Sequence, residues 1–321
     1  MRPTSPLLFF LPTIISLATT FSSVSLASGE TITVCAKGCD HTSIQAAIDA
    51  AADEGDVIKI GPGVWQENLY SNKQLVLRGA RPDLTIIDGS GGPVGWSTCL
   101  IVSEDFDGWA TQERFRIESL TLRGGSGAEI FGLIRGGGVY IEFVPVTLSN
   151  VVIEDCSIET LGEFSTEGLG GAICNFFGDV AIESSVLRNN SCFTLGGAIF
   201  TDGPLRIFDT IIEGNIGEVE GGAIFSAQGD VRIEQSNICG NSADQIVGGY
   251  LDLGGNTISD ECLGPACPTD FDRDGITDGA DLGRFFTTWG ECIDCEADLD
   301  GDGQVDAADL GLLIAAWGSC D

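Results

Sequence analysis

The stretch GGAIFTDGPLRIFDTIIEGNIGEVEGGAI, residues 196–224, begins and ends on the same four residues and so indicates a repeat. The Gly-Gly-apolar signature occurs five times, and successive starts lie 34, 26, 25 and 27 residues apart. It stands at Gly136-Gly137-Gly138-Val139, Gly170-Gly171-Ala172-Ile173, Gly196-Gly197-Ala198-Ile199, Gly221-Gly222-Ala223-Ile224 and, degraded, Gly248-Gly249-Tyr250. A repeat of roughly 25 residues is typical of one turn of a wide β-solenoid.

Each repeat also contains a second segment in which apolar residues alternate with small or polar ones, as in a half-buried strand. These segments are Val146–Leu148, Val180–Ile182, Leu205–Ile207 and Val231–Ile233, and they are followed by Ile153, Leu187, Ile212 and Ile238. The same register aligns Asn190, Asn215 and Asn241 in one column below Cys156. Stacked asparagines can hydrogen-bond one another along a coil turn. The pattern therefore predicts a structural asparagine ladder.

The strand rhythm extends upstream without the double glycine, through Leu75–Gly79, Thr85–Gly89 and Phe115–Gly124. Before these segments, Ile44, Ala47, Ile48 and Ala51 have helical spacing, and Thr42 with Gln45 has the spacing of a capping box. A terminal coil of a solenoid exposes strand edges and core side chains. We therefore expect an N-terminal capping helix over the open end.

The N-terminal segments carry a family resemblance. They are Thr31-Ile32-Thr33-Val34, Ser43 to Ile48, Asp56 to Ile60, Gly61 to Asn68 and Leu77-Arg78-Gly79. This run looks like the opening of right-handed parallel β-helix proteins of the pectin-lyase-like fold, and the Gly-Gly-Ala-Ile units are similar to the repeats of polymorphic outer-membrane proteins. The resemblance implies a mainly β fold, a right-handed parallel β-helix over residues 28–262. This fold hosts lyases, hydrolases, esterases and non-catalytic binders, so it does not specify the chemistry.

Charge and the N-terminal sequence indicate where the protein acts. The 48 acidic and 15 basic residues give a formal net charge of −33, which excludes nucleic acid and anionic membrane surfaces as partners. Residues 1–27 combine Arg2, an apolar run from Leu7 to Ala18 and the small-x-small sequence Ser25-Leu26-Ala27, which predicts a secretory signal peptide. A membrane anchor needs about 20 apolar residues, and Pro12 interrupts this shorter run. We expect a secreted protein, extracellular or at the cell surface, with no membrane span.

The cysteine count agrees with export. Twelve cysteines are an even number, and in an oxidising compartment disulfides are the expected state, with the connectivity left open. Cys292-x-x-Cys295 also fits a zinc or redox motif. A second such motif is missing and His41 is the one histidine of the chain, which favours a disulfide.

The C-terminal segment carries the strongest chemical pattern. The string Asp270-x-Asp272-x-Asp274-Gly275 continues to Asp278 and Asp281, and it recurs 28 residues later as Asp298-x-Asp300-x-Asp302-Gly303 with Asp306 and Asp309. Calcium takes about six to eight oxygen ligands, which such loops supply from carboxylates, from one main-chain carbonyl, here Ile276 or Gln304, and from water. The sequence therefore predicts two calcium ions, held by the ten aspartates named above together with Ile276 and Gln304.

Each loop runs into an amphipathic helix. The apolar face of the first helix is Leu282, Phe285, Phe286 and Trp289, and that of the second is Leu310, Leu313, Ile314 and Trp317. A disordered acidic tail, the alternative for this segment, does not have such a pattern. The duplicated α-helical loop-helix unit resembles type I dockerins over residues 268–321, within a domain of 263–321. The resemblance implies a cohesin-like receptor, although Gly279-Ala280 and Ala307-Ala308 lack the hydroxyls often found at the contact positions.

Candidate catalytic residues come from aligning the repeats on their first glycine. The alignment places Glu142, Phe176, Asp202 and Ala227 in one column. Two coils at about 4.8 Å each separate Glu142 from Asp202 by roughly 9–10 Å, with an aromatic sugar platform between the two carboxylates. Such a pair suits a glycosidase. The catalytic strings expected of polygalacturonases are absent, and lysine is scarce.

Three hypotheses follow. The first is a secreted calcium-binding β-helix protein that binds an extracellular polysaccharide or a surface partner and is tethered by its dockerin-like module. The alternative is a polysaccharide-degrading enzyme, either a glycoside hydrolase or a polysaccharide lyase. The third is an adhesin-like structural protein.

Overall fold

The computed structural model describes residues 29–52, 54–92, 97–103, 114–159, 167–228, 230–242, 244–262, 268–272, 276–292 and 295–319. The predicted signal peptide, residues 1–27, lies outside the described residues, as do Cys267, Asp274 and Cys320. The described residues form a long β region with one continuous apolar core and a small C-terminal module with a separate core. None of the described helices has the length and apolarity that crossing a bilayer requires.

In its described residues, the β region contains short strands and one α-helix, α1 (Ile44–Ala50). The strands are β1 (Thr31–Val34), β2 (Glu54–Ile60), β3 (Gly63–Trp65), β4 (Leu69–Ser71), β5 (Gln74–Arg78), β6 (Thr85–Asp88), β7 (Leu100–Ser103), β8 (Phe115–Arg123), β9 (Ala128–Ile130), β10 (Leu133–Arg135), β11 (Val139–Glu142), β12 (Val146–Glu154), β13 (Ser157–Ile158), β14 (Gly168–Leu169), β15 (Ile173–Phe176), β16 (Val180–Glu183), β17 (Val186–Arg188), β18 (Ser191–Cys192), β19 (Ile199–Thr201), β20 (Leu205–Phe208), β21 (Ile211–Glu213), β22 (Ile216–Gly217), β23 (Ile224–Ser226), β24 (Val231–Glu234), β25 (Asn237–Cys239), β26 (Ile246–Val247), β27 (Tyr250–Asp252) and β28 (Thr257–Ser259).

Successive repeats stack as the coils of a parallel β-helix. Sheet one runs β1-β2-β5-β8-β12-β16-β20-β24-β27 and also includes β3, β6, β17, β21, β25 and β28. Sheet two runs β4-β7-β11-β15-β19-β23-β26. Equivalent residues pair in parallel from coil to coil, as in Ile173↔Ile199 and Ile199↔Ile224. The predicted mainly β, parallel β-helix architecture is confirmed, and the right-handedness of its winding stays a prediction.

Sheet one bends once in each of the five coils that contain β8, β12, β16, β20 and β24. Residues at the bend adopt a left-handed backbone, with φ between 45° and 54°, and they are Ser119, Asn150, Ser184, Asp209 and Gln235. The strands β8 and β12 each extend across the bend. In the next three coils the bend divides the same segment into two short strands, which are β16 and β17, β20 and β21, and β24 and β25. Two of the five, Asn150 and Asp209, are of the residue types that tolerate the left-handed region best after glycine.

The double glycine of the repeat has a physical cause. Gly196 has a φ of +71°, which is unfavourable for residues with a Cβ atom. A Cβ on Gly197 would lie 2.3 Å from the carbonyl oxygen of Gly222 in the next coil. At the turn formed by the double glycine, neighbouring coils therefore approach too closely for any side chain. The sequence repeats glycine at this turn in successive coils for that reason.

Three inward-facing columns fill the coils with aliphatic side chains. The first column is Leu148, Ile182, Ile207 and Ile233, the second is Ile153, Leu187, Ile212 and Ile238, and the third is Ile173, Ile199 and Ile224. Each of these residues is at most 2% exposed. Fully burying one such side chain contributes about 1.5–3 kcal/mol. The apolar residues selected from the strand pattern therefore form the core.

Helix α1 lies in the segment where the sequence predicts a helix, but its cap differs. The N-cap is Ser43 rather than Thr42, because the Ser43 hydroxyl accepts a hydrogen bond from the Ala46 N–H. Glu67, distant in sequence, accepts hydrogen bonds from the N–H groups of Ile44 and Gln45 at 2.9 and 3.0 Å. Local spacing alone does not reveal a cap that comes from a later coil.

The opposite end of α1 yields a stability prediction. The Lys73 ammonium donates hydrogen bonds to the carbonyl oxygens of Ile48, Asp49 and Ala51 at 3.0, 2.9 and 2.8 Å. We expect Lys73→Met to lower the free energy of unfolding by about 1–3 kcal/mol, because a charged donor leaves the negative end of the helix. Denaturant titration measures the loss. The exposed Lys59 provides the control Lys59→Met, and equal losses in both variants would contradict this role for Lys73.

The predicted asparagine ladder is confirmed. The side-chain nitrogens of Asn190 and Asn215 each donate a hydrogen bond to the side-chain oxygen of the asparagine in the next coil, at 2.9 Å. Asn241 donates to Gln245 at 2.8 Å, and Cys156 donates its N–H to Asn190 at 3.1 Å. The three asparagines are at most 5% exposed. Gln245, at the end of the ladder, was not predicted.

The described part of the C-terminal module contains two helices of equal length. They are α2 (Gly279–Thr287) and α3 (Ala307–Ala315), accompanied by the two-residue strands β29 (Ile276–Thr277), β30 (Gly290–Glu291), β31 (Gln304–Val305) and β32 (Gly318–Ser319). Phe285 of α2 and Leu313 of α3, which are equivalent across the 28-residue repeat, are both fully buried in its core. Trp289 and Trp317, expected on the apolar faces, are both 49% exposed.

The cysteines only partly follow the expectation. Disulfides join Cys35–Cys39, Cys239–Cys262 and Cys292–Cys295, and the last excludes zinc ligation by that pair. Cys99, Cys156, Cys174 and Cys192 are instead free and buried. A hydrogen bond with the Cys99 thiol and burial raise the pKa of the Cys156 thiol. These four thiols are buried in the solenoid without a disulfide partner, so the even count overstated the disulfides.

Candidate functional site

The predicted carboxylate pair lies at the C-terminal ends of the strands of sheet two. Glu142 is the last residue of β11 and pairs with Phe176, the last residue of β15. Asp202 directly follows β19, whose Thr201 pairs with Asn175, so Asp202 comes opposite Phe176 in the next coil. The structure therefore brings Glu142, Phe176 and Asp202 together in three successive coils. Both carboxylates are partly exposed.

Two exposed phenylalanines extend this column. Phe143 and Phe177 follow Glu142 and Phe176, and they are 54% and 47% exposed. Their rings stack with centroids 5.6 Å apart and planes 10° from parallel. Both have a left-handed backbone, with φ of 58° and 56°. A bulky residue in that region is strained, and such strain clusters at functional sites. We call Phe143, Phe176 and Phe177 the aromatic platform.

A buried arginine lies under the platform. Arg135 ends strand β10 and is 5% exposed. Its guanidinium carbon lies 4.5 Å from the ring centroid of Phe176, and its Nη1 donates to the Tyr140 hydroxyl at 3.2 Å. Its Nε atom is buried and has no hydrogen-bond partner. The guanidinium carbon also lies 5.7 Å from the ring centroid of Tyr140. The two rings and the hydroxyl thus hold a buried cation, which places positive charge beneath the site.

An inserted hairpin explains why Arg135 is buried. Strands β9 and β10 pair antiparallel, and β10 also pairs parallel with β14. Ile130 and Leu133 of the hairpin pack on the outward side chains of sheet two around Tyr140 and Phe200. The hairpin lies directly before Gly136, so it precedes the first repeat and does not cause that repeat's extra length. The repeat spacing did not indicate this hairpin or the charge that it buries.

The electrostatics of the site single out Asp202. Burial raises the pKa of Asp202 above its ordinary value, and this effect outweighs the hydrogen bond from the Phe177 N–H at 2.7 Å and the charge of Arg135. Burial likewise raises the pKa of Tyr140, which stays protonated. A carboxyl with a raised pKa can donate a proton, while a second carboxylate on the same surface can activate water. The arrangement is therefore capable of acid–base chemistry on a ligand lying over the platform.

Sequence reasoning located the two carboxylates and Phe176, and it missed Arg135, Phe143 and Phe177. Phe143 and Phe177 are each the residue directly after a member of the predicted column, which was the available signal. Arg135 directly precedes the first glycine of a repeat, but neither its burial nor its contacts follow from that position.

The acidic loops of the module form two matching clusters. Carboxylate oxygens of Asp270, Asp272 and Asp281 lie within 4.8 Å of one another, as do those of Asp298, Asp300 and Asp309. Asp281 and Asp309, the last loop positions, are fully buried. Clustered, buried carboxylates repel one another unless a cation neutralises them.

The repeated hydrogen bonds show that the two loops have one design. Asp281 Oδ1 accepts the main-chain N–H groups of Phe271 and Asp272 at 2.7 and 3.1 Å. Asp309 Oδ1 accepts those of Leu299 and Asp300 at 2.8 and 3.1 Å. The last carboxylate of each loop therefore holds the first loop residues in a curve around the cluster.

The other predicted ligand positions have varied surroundings. Asp298 accepts main-chain N–H groups of Gly301, Asp302 and Gly303, which gives the second loop its tight turn. Asp278 and Asp306 are the N-caps of α2 and α3, where they accept the N–H groups of Ala280 and Ala308. Ile276 and Gln304 are exposed residues at the start of β29 and β31. The oxygen-rich donor set fits a hard cation such as calcium.

Comparison with known proteins gives structural similarities only. No family profile and no curated protein sequence matches the chain. Among solved structures, the chain is similar to pectin methylesterase PemA from Erwinia chrysanthemi, with 14% identity, a TM-score of 0.40 and coverage of 70% of this chain and 71% of that chain. It is also similar to the pectin methylesterase from carrot, with 15% identity, a TM-score of 0.37 and coverage of 73% and 87%. A pectin methylesterase from Aspergillus niger matches with 14% identity, a TM-score of 0.37 and coverage of 75% and 88%.

Proposed function

We propose that this protein is a secreted polysaccharide-acting enzyme, a glycoside hydrolase, whose site is the aromatic platform with Asp202 as general acid and Glu142 as general base. The observation that carries the proposal is the raised pKa of Asp202 beside an aromatic surface that also bears Glu142. Stacked, exposed rings suit the apolar faces of sugar rings. The disulfides Cys35–Cys39 and Cys239–Cys262 support export into an oxidising compartment.

A screen of neutral and acidic polysaccharides tests the proposal. Reducing-sugar release by the full chain supports hydrolysis, whereas an unsaturated uronate product would assign a lyase. The two-coil spacing of Glu142 and Asp202, roughly 9–10 Å, predicts inversion at the anomeric carbon. Proton NMR of the first product anomer checks this, and retained configuration would contradict the assigned roles.

Non-catalytic glycan binding is the second candidate, favoured by the exposure of Phe143 and Phe177. Under this function the platform holds a polysaccharide without cleaving it. A glycan array in which the full chain binds while Phe143→Ala and Phe177→Ala do not, with no product released, would select binding over hydrolysis. An adhesin-like role has no comparable feature in its support.

We further propose that the C-terminal module binds two calcium ions and attaches the enzyme to a cohesin-like protein receptor. The first ion would be held by Asp270, Asp272, Asp274, Ile276, Asp278 and Asp281, and the second by Asp298, Asp300, Asp302, Gln304, Asp306 and Asp309. The matching carboxylate clusters support both sites.

We expect chelation of calcium to unfold the module while the solenoid stays folded, because ligand carboxylates repel one another without the ion. Circular dichroism should lose the helical signal of α2 and α3, and the melting curve should lose one transition. Asp309→Ala, which removes the buried ligand of the second site, should abolish one of two binding events in calorimetry. A spectrum and melting curve indifferent to chelator would refute calcium-dependent folding.

A further inference from the structure

The module is in direct contact with the solenoid. The Arg284 guanidinium of α2 forms an ion pair with Asp209 at the bend of sheet one, at 2.7 Å. The Asn237 side-chain nitrogen donates to the main-chain oxygen of Asp272 at 2.9 Å, and Arg81 donates to the main-chain oxygen of Glu291 at 3.2 Å. These contacts join the module to separate coils, so it lies along the outside of sheet one.

The Asn237 contact joins the solenoid to the first acidic loop. Asn237 alternates with the inward-facing Ile238 in β25, so its side chain faces outward, yet it is only 5% exposed. Its partner Asp272 occupies the third position of the first proposed calcium loop, and the Asp272 N–H donates to the carboxylate of Asp281. One short segment of main chain therefore links the proposed ion to the solenoid surface.

The Arg284 contact is prearranged on the solenoid side. Asp209 Oδ2 accepts the Ser184 hydroxyl at 2.8 Å, which leaves Oδ1 directed to Arg284. Both side chains of the pair are partly buried, at 23% and 33% exposure. A partly buried pair with fixed geometry contributes more than an exposed one.

The internal repeat provides a comparison within the molecule. The residue equivalent to Arg284 in the second unit is Leu312, which is 44% exposed. The residue equivalent to Asp272 is Asp300, whose hydrogen bonds among the described residues stay within its own loop. Of the two units, the first carries these contacts to the solenoid.

We propose that occupancy of the first calcium loop and docking of the module on sheet one are thermodynamically coupled, so that the module is a calcium-dependent clamp on the solenoid rather than a free tether. The coupling rests on the proposed calcium function. An ion that orders the Asp272 main chain favours the docked state, and by linkage docking favours the ion by the same factor. The second loop binds its ion without this coupling.

The first test uses the full chain and the nearly isosteric variant Asn237→Asp, which sets a carboxylate against the Asp272 carbonyl oxygen. We expect calorimetry to show the affinity of one calcium site weakened about 5-fold or more and that of the other unchanged. Small-angle scattering in calcium should show a larger radius of gyration than for the wild type. Asn150→Asp is the matched control, because Asn150 is an exposed residue of the sheet-one bend and the charge change is equal.

A second variant guards against local misfolding. Arg284→Leu introduces the side chain that the second unit carries at Leu312, so α2 should still form. It should open the module in scattering and weaken the same calcium site. The coupling would be overturned if both variants showed the scattering and the calcium affinities of the wild type. It would also be overturned if the wild-type protein bound two ions in calorimetry but chelator left its radius of gyration unchanged. If the full chain binds no calcium, the calcium function and the coupling both fail, whereas scattering of Asn237→Asp still decides whether the module is docked.

Discussion

Replacing Asp202 by asparagine is expected to lower kcat on the polysaccharide substrate by about 10²- to 10⁴-fold, the usual loss when a general acid is removed. The amide oxygen of the substituted side chain can still accept the Phe177 N–H, so the coil should remain folded. KM should change little, because the aromatic platform that binds the sugar is intact. Steady-state kinetics with the substrate found in the screen measures both constants.

The same residue predicts the pH dependence. Burial disfavours the charged form of Asp202 and so raises its pKa, which keeps the proton on the acid to a higher pH than for an ordinary aspartate. Activity should therefore fall as pH rises through this raised pKa, and Asp202→Asn should lack that limb. Glu142→Gln should also lower kcat, because it removes the proposed general base. The exposed Glu183, on sheet one, provides the control Glu183→Gln, which should keep the wild-type profile. Full activity in both site variants would exclude this catalytic pair.

Replacing Asn215 by alanine is expected to lower the free energy of unfolding by about 3–5 kcal/mol, one of the largest effects of a single substitution in the solenoid. The Asn215 oxygen accepts both the N–H and the side-chain nitrogen of Asn190 at 2.9 Å. The substitution leaves the buried Asn190 N–H and one hydrogen of its side-chain amide without partners, while the other amide hydrogen keeps its bond to the Ile153 carbonyl oxygen at 2.9 Å. Each lost bond to a buried donor costs about 1–3 kcal/mol. Denaturant unfolding followed by circular dichroism measures the change.

Asn189→Gly is the matched control for this experiment. Asn189 is an exposed neighbour of the ladder, and glycine tolerates its φ of 55°. A change within about 0.5 kcal/mol is expected there, as for other surface substitutions. Similar losses in Asn215→Ala and Asn189→Gly would mean that the ladder does not stabilise the solenoid beyond its exposed surroundings.

The parts of the fold that sequence predicted are those that the repeat period encodes. Every coil must place small residues where neighbouring coils approach closely and aliphatic residues where the coil faces inward, so Gly197 and Ile199 recur in register. The asparagine column follows from the same period. The column of Glu142, Phe176 and Asp202 was found in this way too, because in-register parallel pairing turns equal spacing in the chain into adjacency in space.

The properties that make this column a candidate site depend on contacts between distant segments. Asp202 acquires its raised pKa from burial, and Arg135 is buried by a hairpin whose packing no period encodes. The left-handed strain of Phe143 and Phe177 is likewise invisible in their residue type. Free cysteines were mistaken for disulfides because the number of cysteines says nothing about which thiols meet.

The amino-acid sequence thus specified a stacked β-helix, its asparagine ladder and a duplicated acidic loop-helix module, because each is a periodic pattern with a local physical cause. Folding in three dimensions supplied the buried charge under the platform, the cap of α1 from Glu67 and the contact of Arg284 with Asp209. These features join residues far apart in the chain, and their burial and electrostatics are set by neighbours that no local pattern identifies.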